Sequence, residues 1–132
     1  MNSFLRATAV LGAAVAITAA LAQPSRPNDQ QYPDVQAVKA RAGGANKFDF
    51  DVTISSPYDT PQRYADAFRA VSKDGRVFGE RVLLHDHADE QPFTRDLHGV
   101  TIPAGVRVVV VQARDLKSGY GGKTVEVALP GR

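Results

Sequence analysis

Hydrophobic and polar residues alternate with period two along most of the chain after residue 33, and no segment carries a 3.6-residue apolar repeat long enough for a helix. The clearest case is 48–55. There Phe48, Phe50, Val52 and Ile54 alternate with Asp49, Asp51, Thr53 and Ser55, as a strand with one buried and one wet face requires. Residues 124–129 repeat the pattern with Val125, Val127 and Leu129 on one face. The run 106–113 is almost continuously β-branched, which suits a strand covered on both sides or central in its sheet. Residues 65–72 and 76–84 flank Lys73, Asp74 and Gly75, and a short loop carrying Asp-Gly predicts a hairpin. Residues 93–97 form a short strand, and 35–40 an edge strand ended by Gly43 and Gly44. The alanines of 58–68 would suit a helix, but Pro61 interrupts them and charges fall on every face. Seven strands with turn chemistry between them predict an all-β sandwich.

The first 22 residues follow a different rule. Arg6 is their only charged side chain, an apolar run fills 9–22, and Ala20 and Ala22 occupy the two positions that signal peptidase reads. This predicts a signal peptide at 1–22 with cleavage before Gln23. The alternative, a membrane anchor, is disfavoured by the shortness and alanine content of the run. Residues 23–33 are too polar to bury anything and read as a flexible leader, leaving 34–132 as one domain. Export to the periplasm or medium, with no stable membrane anchor, is the expectation.

Composition narrows the function. With no cysteine there is no disulfide, thiolate metal site or lipidated anchor, so packing alone must hold the fold. The 16 basic and 14 acidic residues are interspersed, which argues against a nucleic-acid partner.

The segment LHGVTIPAGVRVVVVQARDLKSGYGGKTVEVALP (97–130) resembles the last three strands of fibronectin type III and related bacterial immunoglobulin-like domains. The resemblance implies a seven-stranded immunoglobulin-like sandwich with strands A, B, C, C′, E, F and G, in which Phe68 takes the place of the core tryptophan. The string HDHADEQPFTRDLHGV (85–100) is similar to that of small exported bacterial proteins of no established function.

In such a sandwich the connections at 56–63, 85–92 and 115–122 emerge at one pole. They are long, polar and contain aromatics, whereas two of the opposite connections are short. Loops held by rigid strands carry function, so this pole is the expected binding surface for a protein, peptide or small ligand. Its candidate ligand-binding residues are Tyr58, Asp59, Arg63, His85, His87, Glu90, Asp115 and Tyr120. A second reading is metal binding. In an extended segment His85 and His87 project to one face, and with Glu90 as third ligand they would suit zinc or copper. No other cofactor is implied. His98 should stand about 16 Å toward the other pole, five residues on at roughly 3.3 Å each. A small hydrolase using Ser55, Ser56 or Thr60 with the histidines is the third class. It is disfavoured because no nucleophile elbow, phosphate loop or separated carboxylate pair is visible.

Overall fold

The computed structural model describes residues 29–132. The expected signal peptide and most of the leader lie outside the described residues. Seven strands run in chain order: β1 (Asp34–Gly44), β2 (Lys47–Ser55), β3 (Ala65–Val71), β4 (Val77–Val82), β5 (Phe93–Thr101), β6 (Val108–Asp115) and β7 (Gly119–Ala128). They form two antiparallel sheets, ordered β1-β2-β5 and β4-β3-β6-β7.

The core is built from the faces that the alternation selects. Phe48, Phe50, Val52 and Ile54 of β2 and Phe93, Leu97 and Val100 of β5 face Phe68 and Ala70 of β3 and Val109, Val111 and Ala113 of β6. Phe68 is fully buried in this core. The β-branched run around Val109 is the central strand β6, paired on both sides. The segment around Tyr58 forms turns, and Asp-Gly turns the β3–β4 hairpin with Gly75 at a φ of 94°, where a side chain would strain the backbone.

Several strand boundaries differ from expectation, most of all those of β7 and β5. β7 begins at Gly119 rather than Thr124, so the connection from β6 is a short turn at Leu116–Ser118 and not an eight-residue loop. Glycines suggest a loop, but here they let the N-terminal segment lie against the strand. A Cβ at Gly121 would collide with the Tyr32 ring, and one at Gly122 with the Pro33 carbonyl oxygen. The end of the polar leader is correspondingly held. Pro33 is buried, Gln30 Nε2 donates to the Ser55 carbonyl, and Arg63 donates to the carbonyls of Gln30 and Gln31. β5 also runs past Leu97 to Thr101, which places His98 within the strand, paired with Asp49.

The register yields a test. Phe50 is fully buried, while the neighbouring Asp51 faces out and pairs with Arg41. Phe50→Asp should prevent folding, because an unpaired buried carboxylate costs several kcal/mol of a total of about 5–15. Asp51→Asn should cost no more than about 1 kcal/mol, as for an exposed ion pair. Thermal melts of the two variants check this, and similar losses would contradict the strand register.

Candidate functional site

Antiparallel pairing brings three connections to one end of the molecule: residues 56–64 after β2, 83–92 after β4 and 116–118 after β6. Buried carboxylates tie them together. Asp59, 5% exposed, accepts through Oδ1 from the Ala65 N–H at 3.1 Å and through Oδ2 from the His87 N–H at 3.0 Å. It therefore joins the first connection, the start of β3 and the second connection. Asp115, with no exposed surface, accepts from the Tyr58 hydroxyl at 2.7 Å and from the Lys117 and Ser118 N–H groups at 2.9 and 2.8 Å. Arg63 Nε lies 3.2 Å from the same carboxylate, and its guanidinium covers the Tyr58 ring at 4.4 Å.

The two acids respond differently to burial. For Asp115, burial alone would raise the pKa, but the Tyr58, Ser118 and Lys117 hydrogen bonds and the Arg63 charge outweigh it and hold the carboxyl below its ordinary value. Asp59 has fewer donors and, among the described residues, no arginine or lysine paired with it, so burial wins and its pKa is raised. Burial and the hydrogen bond to Asp115 also raise the Tyr58 pKa.

Of the eight residues expected to bind a ligand, Tyr58, Asp59, Arg63 and Asp115 thus satisfy one another and the backbone inside the pole. Tyr120 stands elsewhere. Its side chain lies along the four-stranded sheet, with the Arg69 guanidinium 3.6 Å from its ring centroid and its hydroxyl on Glu80. His85, His87 and Glu90 belong to the open part of the pole. There a cleft of about 270 Å³ is lined by residues 85–90 and Arg95. An adjoining cleft of about 210 Å³ is lined by Arg81, Val82, Leu83, Leu84, His85, His87 and Arg95.

The metal set does not converge. β4 ends at Val82, so residues 85–87 are not an extended continuation of it. The two imidazole rings do approach, with centroids 5.0 Å apart, but Glu90 is turned to Arg95, its two oxygens 3.3 and 2.9 Å from the guanidinium nitrogens. Among the described residues no group of three His, Asp or Glu side chains is placed to hold a metal ion.

His87 explains why. It is 7% exposed, its ring stacks on Phe93 at 4.1 Å, and its buried Nδ1 has no hydrogen-bond partner among the described residues. A buried N–H with no acceptor costs more than a bare lone pair, so the proton belongs on Nε2. Metal ligation through Nε2 needs the opposite tautomer, with Nδ1–H donating to an outer acceptor, and the described residues place no acceptor there. Burial, followed by the charges of Arg95 and His85, lowers the His87 pKa, against the pull of Asp59 and Glu90.

Sequence reasoning missed Arg81 and Gln91. Arg81 comes from the edge strand β4 and pairs with Asp96 of β5 across the gap between the sheets. Gln91 accepts from the Ser56 N–H at 2.7 Å and donates to the His87 carbonyl at 3.0 Å, while the buried Ser56 contacts it again through Oγ. An arginine on an edge strand beside an aspartate on its spatial neighbour leaves no local pattern, so only topology reveals such pairs.

The buried imidazole has a pH signature. A histidine whose pKa folding lowers binds its proton more weakly folded than unfolded, where it titrates near 6.5. The unfolded chain therefore takes up more protons as the pH falls through about 6.5, and stability drops with it. His87→Phe keeps the stack on Phe93 and removes the orphaned nitrogen. It should raise stability by about 1 kcal/mol near pH 7.5, and by more near pH 5. Thermal melts at the two pH values measure this, and an equal pH dependence in both proteins would contradict it.

No family model matches the chain. No solved structure matches it either. It is similar to a protein of Halomicrobium mukohataei described as "Putative lipoprotein", with 33% identity over 99 residues. The match covers 75% of this chain and 48% of the relative, so the chain spans about half the length of the curated relative it matches.

Proposed function

We propose that this chain is an exported interaction domain of the immunoglobulin-like type, which presents the connection between β4 and β5 as its recognition surface. The observation that carries the reading is the contrast within one pole. Beneath the connection, Asp59 and Gln91 hold its backbone, while on top Leu84 is 83% exposed and Val82 58% exposed beside His85 and the two clefts. A rigid support under exposed apolar and donor groups is what binding on a preorganised surface needs, because little conformational freedom is then lost on association.

The placement of β4 beside β3 in the second sheet agrees with the immunoglobulin-like reading, in which the fourth strand joins the third, sixth and seventh. Export to the periplasm or medium is supported by the apolar segment at 9–22 and by the relative's description as a "Putative lipoprotein". This chain has no cysteine to carry a lipid, so the soluble form is the one proposed. Partners are proteins, peptides or small ligands.

A photo-crosslinking residue placed at Leu84, in protein expressed and exported by its own organism, should give a discrete adduct. The same residue at the exposed Lys73, in the turn at the opposite pole, should give none. Adducts of equal yield from both positions, or none from Leu84, would overturn the assignment.

A further inference from the structure

The smaller cleft has a donor and acceptor balance that identifies the chemistry of its ligand. Resting on the reading of the β4–β5 connection as the recognition surface, we propose that this cleft is a socket for a carboxylate carried next to an apolar group. Among the described residues no acid lines it, and Glu90, Asp96, Asp59 and Asp86 close by are engaged. Glu90 holds Arg95, Asp96 holds Arg81, Asp59 lies beneath with two backbone N–H groups, and Asp86 accepts from the Ala88 N–H.

Donors, by contrast, are left over. A guanidinium has five N–H groups. Arg81 commits only Nη1, to the Asp96 carbonyl and carboxylate, and among the described residues its Nε and Nη2 meet no acceptor. Arg95 commits Nη1 and Nη2, to Glu90 and the Thr94 carbonyl, and leaves Nε. His87 adds a third donor. With its buried Nδ1 unprotonated, its proton is on Nε2, and Nε2 is not among the buried unpartnered atoms although the ring lines the cleft. His85 stands at the mouth and turns its Nδ1 to the Asp86 carbonyl, which can only accept.

Three donors from two strands and one loop, with no carboxylate among the lining residues, suit two acceptor oxygens better than a cation or an amide. Leu84 and Val82 on the rim supply the apolar contact. The same chemistry is offered by the C-terminus of a polypeptide ending in an apolar residue and by a small branched acid.

The experiment is a titration of the ¹⁵N-labelled chain with isovalerate, with isovaleramide, and with a short peptide ending in leucine as the free acid and as the amide. Both free acids should move the backbone signals of Leu83, Leu84, His87 and Arg95, and both amides should fail to. Tighter binding of the peptide acid than of isovalerate identifies a polypeptide C-terminus as the source, and equal binding identifies a small acid. His87→Phe, which keeps the ring stack, and Arg81→Met should each weaken binding about tenfold or more. Amides that bind as well as acids, signals moving elsewhere, or full affinity in both variants would overturn the proposal. A crosslink from Leu84 that persists while carboxylates leave the spectrum unchanged would sink the socket and spare the recognition surface.

Discussion

The pole of this sandwich depends on two carboxylates that the fold takes out of water and surrounds with donors. Asp59 and Asp115 together accept from backbone N–H groups at Ala65, His87, Lys117 and Ser118 and from the side chains of Tyr58 and Arg63. Burying a charge is costly unless the hydrogen bonds are made, and removing one partner strands the other. Connections that on their own would be free to move are therefore locked to each other and to the ends of β3 and β6. The N-terminal segment joins the same network through Arg63, which holds Asp115 on one side and the carbonyls of Gln30 and Gln31 on the other.

Chemistry at the surface follows from what the brace leaves unsatisfied. The His87 backbone is fixed by Asp59 from below and by Gln91 through its carbonyl, and its ring is clamped on Phe93. That placement hides Nδ1 and thereby selects the tautomer. A histidine constrained in this way presents a hydrogen-bond donor to the cleft and is poorly suited to ligate a metal. Arg81 and Arg95 reach the same cleft while each neutralises an acid on the other side, so the site gathers donors without gathering much net charge.

Period-two patterning made strands of the sandwich legible because a strand buried on one face writes that face into every second residue, as β2 does, while β6 was legible from its β-branched run. Where a strand is packed on glycine the signal vanishes. Gly121 and Gly122 belong to β7, yet they look like loop because the contact they permit, with Tyr32 and Pro33, is made by a segment distant in sequence. The candidate site was legible as a place but not as a set of roles. Polarity at 58–63 and 115–122 is equally compatible with binding a ligand and with bracing the fold. Burial decides between them, and the near-complete burial of Tyr58, Asp59 and Asp115 assigns them to the brace. Arg81 went unread because an inward-facing arginine on an edge strand has the same local pattern as an outward-facing one.

The central claim is that Asp59 holds the β4–β5 connection against the scaffold, and amide hydrogen exchange in Asp59→Ala tests it most directly. The account predicts that the Ala65 and His87 amides, slow to exchange in the unmodified protein, lose most of their protection, while the Val52 and Val111 amides of the core lose only what the fall in global stability requires. Unchanged protection at His87 in the variant would contradict it.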